Sequence, residues 1–321
     1  MYMFKYILKR IGLMIMSFTI IFVICFVLIR LLPVNFHVGV PGEDPDKLLA
    51  EYKARGYDKP IIEQFFIYVK RIVVDGNFGR VTEVAQYRGR DIIDVFVEKL
   101  PPTILLNIYS SLFAVPLGIV LGIFAALKKN KWQDHLISTL VMVFISVPSF
   151  VYATVLLYVV CFKWNLLPKT MMSGFDYFTW DMFKSMIPAV LSLSFGSIAG
   201  YARGTRAELT EVLTSEFMLL ARTKGLTKSQ ATVRHALRNS MVPIFPSIIG
   251  EFISVLSGSL VIEKIFAVPG VGGLYLETIN SIDYDFFMML SSFYLLVSLA
   301  AGLVIDLSYG IIDPRIRMGA K

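Results

Sequence analysis

Residues Ile11–Ile29 read IGLMIMSFTIIFVICFVLI, nineteen positions without a charge. A helix rises about 1.5 Å per residue, so a run of about 20 apolar residues crosses the hydrocarbon core of a bilayer. Lys5, Lys9 and Arg10 precede this run, an arrangement that resembles a signal peptide. The run is longer than a signal sequence needs, however, and no small-x-small cleavage site follows where the chain continues RLLPVNF. We read it as a retained first transmembrane helix with its N-terminus in the cytoplasm.

Working outward, comparable runs lie near 103–127, 136–162, 186–203, 244–262 and 286–311, the first span covering 9–31. The 321 residues are 56% hydrophobic and 17% charged, with a mean hydropathy of +0.67. An ordinary soluble domain carries roughly 25% charged residues, so this composition excludes one. The expected class is an all-α integral membrane protein with six transmembrane helices and a helical extracytoplasmic segment between helices 1 and 2. Ranges follow: 1–33 for the first helix, 34–100 for the outer segment, and 101–321 for a five-helix core that contains a basic loop at 204–243.

The net charge of +7 is concentrated in the flanks of the apolar runs, which points to membrane orientation and not to nucleic acid. Lys128, Lys129 and Lys131 follow the second run, Arg203 and Arg206 the fourth, and Arg315, Arg317 and Lys321 the last. The connection after the fifth run holds Lys264 against Glu263, Glu277, Asp283 and Asp285. Both termini are therefore expected in the cytoplasm. Cys25 and Cys161 fall inside apolar runs and read as free thiols. His37, His135 and His235 are too scattered for a metal site.

In the outer segment, Ile62, Phe65, Phe66, Val69, Ile72 and Val73 recur at helical spacing, Pro60 suits the first turn, and DGNFGR ends the helix. Gly118/Gly122 and Gly196/Gly200 stand four apart, a spacing that lets helix backbones approach within one bundle.

The segment Leu219–Pro243, LLARTKGLTKSQATVRHALRNSMVP, carries five Lys/Arg, one His and no acidic residue. A helix is expected from Glu208 onwards, with Glu208, Glu211 and Glu216 towards its start and Arg222 and Lys224 in its last turn, as the macrodipole favours. Gly225 suits the left-handed position just past it, and Thr227–Gln230 matches a capping box that opens a second helix. Val233, Ala236 and Leu237 would line that helix's apolar face. A positive-inside loop needs only the charges; two short helices broken at a glycine suggest a docking surface for a cytoplasmic partner.

LLARTKGL…VRHALRNSMVP resembles the coupling loop of binding-protein-dependent ABC importer permeases, in the dipeptide, oligopeptide and nickel branch. YDKPIIEQFFIYVKRIVVDGNFGR, KLPPTILLNIYSSLFAVPLGIVLGIFAALKKNKWQD, EKIFAVPGVGGLYLETINSIDYDFF and DLSYGIIDPRIR resemble other stretches of that branch, in order along nearly the whole chain. Within it the chain is most similar to the first of the two oligopeptide permease subunits. The wider superfamily has Glu-Ala-Ala ahead of the glycine; Leu219, Leu220 and Ala221 stand there here, and the step from Gly225 to Pro243 is longer than in sugar importers.

The resemblance implies a type I importer fold and a half-transporter that takes up oligopeptides. Its partners would be a second homologous permease, two ABC ATPase subunits that bind ATP and Mg, and an extracytoplasmic peptide-binding protein, with membrane lipid around it. It further implies that Leu219, Leu220, Leu226 and Leu237 fill the ATPase groove and that Gly225 makes the break. Arg222, Lys224, Arg234 and Arg238 would be polar contacts or lipid-facing anchors, with Ala221, His235, Asn239 and Pro243 completing the motif.

No G-x-x-x-x-G-K-S/T, G-x-S-x-G or H-E-x-x-H occurs, so no catalytic role is assigned to this chain. Glu251 reads equally as a pathway carboxylate or as one paired with an Arg or hydroxyl of a neighbouring helix. Asn107, Ser146, Ser149, Ser194, Ser197, Ser254 and Ser257 are candidates for a polar pathway, although Ser also bonds its own helix backbone. Pro148 marks a kink, and Asp306 a structural carboxylate near the cytoplasmic end. Two alternatives stay open: a permease for nickel or another small ligand, and an ion-coupled secondary transporter acting alone.

Overall fold

A computed structural model describes residues 2–32, 45–172, 174 and 176–312. His37, which entered the histidine reading, and Arg315, Arg317 and Lys321, which entered the charge pattern, lie outside the described residues. The described chain is almost wholly helical: α1 Tyr2–Arg30, α2 Pro45–Ala54, α3 Ile61–Val73, α4 Ile92–Leu127, α5 Trp132–Ser146, α6 Ser149–Leu156, α7 Trp180–Leu213, α8 Glu216–Thr223, α9 Lys228–Ala231, α10 Leu237–Met241, α11 Phe245–Ser254, α12 Leu260–Ile265, α13 Val271–Ser281 and α14 Tyr284–Ile312. Among the described residues four helices (within α1, α4, α7 and α14) are long and apolar enough to span a membrane, or six spans if each of two bent pairs counts as one.

Both bent pairs modify the sequence reading. The third span is no kinked helix: α5 and the helical stretch 149–163 meet at 102°, with Pro148 as the N-cap of the second piece. Proline cannot donate to the preceding turn, so the helix ends instead of bending. The stretch closes with a π-helical turn over Leu157–Lys163. The fifth span does not run to residue 262. In the second bent pair Lys228–Ser240 and Phe245–Ser257 meet at 51°, and the pair ends at Ser257, where Gly258 adopts φ 63° and α12 starts afresh. Pro60 is likewise the N-cap of α3 and not part of its first turn.

The chain divides into two compact units, Met1–Arg10, Leu100–Gly273 and Val297–Lys321 forming one, Ile11–Lys99 and Leu274–Leu296 the other. In the first unit, Leu106, Ala153, Met182, Met186, Ile262 and Phe266 form a buried core. Gly118 and Gly122 of α4 face α7: a Cβ on Gly118 would come within 2.8 Å of the Ile198 carbonyl, and one on Gly122 within 2.6 Å of the Ala202 carbonyl. These glycines therefore pack helices within the chain, as their spacing suggested. Gly200 has no atom near where its Cβ would be. In the second unit, Phe26, Ile29, Tyr68, Tyr284 and Met288 make a core against which Phe22, Phe65 and Ile72 pack.

Candidate functional site: the basic loop and the polar groups of the bundle

The expected single helix from Glu208 is two. The hydroxyls of Thr214 and Ser215 donate to the carbonyls of Glu211 (3.0 Å) and Val212 (2.6 Å), ending α7 at Leu213. Such local bonds compete with the helical ladder. Glu208 and Glu211 therefore belong to the end of α7, and Glu216 alone sits in the first turn of α8, with Arg222 in its last.

The break that follows has the expected chemistry. Gly225 takes φ 92°, its N–H donates to the Arg222 carbonyl (3.0 Å), and the Leu226 N–H donates to the Ala221 carbonyl (3.4 Å). This is the Schellman arrangement, which satisfies the last carbonyls of a helix through a left-handed residue. Thr227 then accepts from the Gln230 N–H (3.3 Å) while Gln230 Oε1 accepts from the Thr227 N–H (3.1 Å), a complete capping box.

The second helix departs from the expected stripe. A π-helical turn covers Thr232–Ala236, so residues five apart share a face. Ala231 and Ala236 are fully buried with Leu209 and Met218, and Leu226 and Leu237 pack partly against them. Val233, expected on the inner face, is 62% exposed, beside Leu219 at 61% and Leu220 at 56%. Ala221 also turns inward, whereas Arg222, Lys224, Arg234, His235, Arg238 and Asn239 are exposed and Pro243 is half-buried. None of Arg222, Lys224, Arg234 and Arg238 has an ion-pair partner among the described residues. Apolar contacts hold this loop, and its charges face outward. Phe217, also exposed, was not singled out from the sequence; a heptad-like position beside Leu220 was the available signal.

Neighbouring polar contacts brace the loop's stem. Asp134 at the start of α5 accepts from Arg206 Nη2 of α7 (2.8 Å) and from the Asn130 N–H (2.9 Å). Arg10 of α1 meets Asp306 of α14 at 2.6 Å, giving that carboxylate the structural role expected of it.

The candidate pathway residues do not form one cluster. Glu251 accepts from the Ser197 hydroxyl of α7 at 2.9 Å, the hydroxyl pairing that was one of its two readings. Ser194 meets Ser110 of α4 at 3.1 Å. Asn107 and Ser254 donate to carbonyls of their own helices, Thr103 (2.7 Å) and Gly250 (2.8 Å). Ser146, Pro148 and Ser149 lie at the sharp bend after α5, and Ser257 at the break before α12.

The sequence reading passed over a buried clasp. Glu263 is fully buried; its Oε1 accepts from the Thr103 hydroxyl (3.1 Å) and its Oε2 from the Gly272 N–H (2.8 Å), while Thr103 Oγ1 accepts from the Val271 N–H (2.9 Å). Burial pushes the Glu263 carboxyl above the usual carboxylate range, and these hydrogen bonds only partly oppose it. The glycine-rich VPGVGG that follows Glu263 was the signal, since a tight turn around a buried acid needs backbone donors at close range.

Comparison with known proteins matches residues 118–318 to the binding-protein-dependent transport system inner membrane component and residues 3–106 to the N-terminal component of such membrane proteins. The dipeptide transport system permease protein of Lactococcus lactis is 35% identical over 98% of this chain and 100% of its own length. The oligopeptide transport system permease protein of Haemophilus influenzae is 30% identical over 98% and 100%. Among solved structures, an amino acid ABC transporter covers 68% of this chain and 94% of its own with a TM-score of 0.50 at 18% identity, a likeness of fold.

Proposed function

Because the chain belongs to the family of binding-protein-dependent transport system inner membrane components, we propose that it is the permease subunit of an ATP-driven ABC importer of short peptides. It is a multi-pass protein of the inner membrane, and the family's role is transport, not catalysis. One observation carries the peptide reading: full-length likeness to permeases named for dipeptides and oligopeptides. Dipeptides stand beside oligopeptides as cargo, since two of these relatives are dipeptide permeases.

In this reading a second permease completes the pathway, an extracytoplasmic protein delivers the peptide, and two ATPase subunits bind ATP and Mg. Both termini and the loop 204–243 face the cytoplasm. Phe217, Leu219, Leu220 and Val233 are the exposed apolar side chains of this loop that an ATPase groove would take, with the exposed Arg222, Lys224, Arg234 and Arg238 as polar contacts. Leu226 and Leu237 serve instead to seat the loop on α7. Closure of the ATPase pair would move the seated loop and, through α7 and α11, the bundle.

The test is purification from the native membrane, identification of bound proteins, and peptide uptake in liposomes, with Gly225→Pro as control. Co-purified ATPases and ATP-dependent uptake of a labelled dipeptide or oligopeptide, both lost in the variant, are expected. Nickel uptake in place of peptide would move the cargo assignment. Transport by the chain alone along an ion gradient would overturn the importer reading.

A further inference from the structure

In the second unit, α3 carries more apolar surface than its neighbours cover. Successive residues of a helix turn by about 100°, so Ile61, Phe65, Tyr68 and Ile72 share one face. That face meets α1. The Phe65 ring lies 6.1 Å from Phe22 and 5.3 Å from Phe26, and the Tyr68 ring 6.1 Å and 5.5 Å from the same two. One residue further round, Ile62, Phe66, Val69 and Val73 share a second face. Ile62 is 72% exposed, Phe66 66% and Val73 75%, while Val69 is half-buried. Glu63 and Lys70, both exposed, stand beyond it on a third face. The helix is amphipathic over a wide apolar arc, and α1 covers only part of that arc.

The place where α1 meets α3 decides what covers the rest. The uncharged run of α1, residues 11–29, is about 28 Å long as a helix, close to the roughly 30 Å of a hydrocarbon core. Arg30 closes the run and meets Asp285, the second residue of the long apolar helix α14, at 3.4 Å. The polar ends of two spans therefore lie together and mark the edge of the membrane. Phe26 and Phe22 come four and eight residues before Arg30, about 6 and 12 Å inside that edge. Arg71, in the last turn of α3, reaches the same Asp285 at 2.7 Å, so the helix stays near the edge and does not enter the middle of the core. At this depth α1 turns Ile24 and Leu28 outward, 51% and 60% exposed, where a spanning helix meets acyl chains. The uncovered face of α3 lies at the same level.

We propose that α3 is an interfacial anchor, with the face of Ile62, Phe66 and Val73 immersed in the leaflet at the C-terminal end of α1. Glu63 and Lys70 then point towards water. Helices of this kind hold their apolar face about 5–10 Å into the boundary between headgroups and acyl chains. The occupant is lipid, because a soluble partner does not reach a face at this depth. The proposal does not rest on the transport reading; it requires only that α1 span the bilayer.

The test is spin labelling of the full-length protein in liposomes of phosphatidylethanolamine and phosphatidylglycerol. Ile62→Cys, Glu63→Cys, Phe66→Cys, Lys70→Cys and Val73→Cys are made singly with Cys25→Ala and Cys161→Ala, and each carries a nitroxide. Collisions with oxygen, which concentrates among acyl chains, are compared with collisions with a water-soluble nickel chelate. We expect the oxygen-to-nickel ratio to be high at positions 62, 66 and 73 and low at 63 and 70, in step with the helical period. All five positions are exposed, so labelling should leave the melting temperature of the cysteine-free background unchanged. Phe66→Trp in the parent chain, with both cysteines intact, reads the same face by a second route. Its added fluorescence should be quenched by brominated acyl chains and spared by aqueous iodide. Nickel collisions at 62, 66 and 73 as frequent as at 63 and 70 would put the face in water and overturn the proposal. Few collisions with either reagent would mean that protein covers it, which overturns the assignment to lipid.

Discussion

Two groups of basic side chains use the same residue types in opposite ways. In the loop after α7, Arg222, Lys224, Arg234 and Arg238 are exposed and unpaired among the described residues, while Ala231, Ala236 and Met218 hold the segment by burial. In the second unit, Arg30 and Arg71 are largely buried, and a carboxylate with aromatic rings holds them. In the loop, charge is decoration on an apolar scaffold and is free to meet a partner. Around Asp285, charge is the scaffold. Removing a charge should therefore be nearly silent in one region and severe in the other.

The largest effect is expected from Asp285→Ala, which removes the buried carboxylate that Arg30, Arg55 and Arg71 share. Breaking a buried pair from one side costs roughly 3–5 kcal/mol. Thermal unfolding in detergent should show the loss, and an unchanged melting temperature would remove the contrast between the regions. Next comes Leu237→Asp, which puts a charge against the core that seats the loop. It should cost roughly 1–3 kcal/mol for an unpaired polar group, whereas Leu219→Asp with Leu220→Asp should leave melting unchanged and abolish ATPase co-purification.

Thr227→Ala removes a capping box and should cost about 1 kcal/mol, read as faster hydrogen exchange in α9. Singly, Arg222→Gln, Arg234→Gln and Arg238→Gln should each stay within about 0.5 kcal/mol of the parent. A melting shift several times larger would mean that these side chains have buried partners after all.

The finest distinction is in pH. Burial pushes the Asp283 carboxyl above its ordinary range, and the backbone donors at Glu83 and Thr82 only partly oppose this. A folded pKa above the unfolded value gives stability that is present below about pH 4 and is lost as pH rises through the folded value. The parent should thus lose melting temperature relative to Asp283→Asn as the pH is raised from about 4. Parallel curves would count against it.

The glycine break and the capping box around Gly225 and Thr227 were legible because each rests on neighbours three to five residues apart. The stripe on the following helix was misread at Val233, since a π-helical turn changes the period and nothing in residue type announces it. Among the pathway candidates, Ser197 and Glu251 were both legible as polar groups in apolar runs. That they meet each other at 2.9 Å was not. The Glu263 clasp escaped for the same reason: Thr103 lies 160 residues away in the chain.

By itself the sequence determined what local rules govern: apolar lengths set by bilayer thickness, caps set by adjacent backbone groups, and a family likeness running end to end. Tertiary structure alone decided which charges are buried and which leucines of the loop face out. It also decided where the third and fifth spans break. Those outcomes depend on contacts between residues far apart in the chain, and their free energy comes from desolvation and packing, which no single stretch of sequence contains.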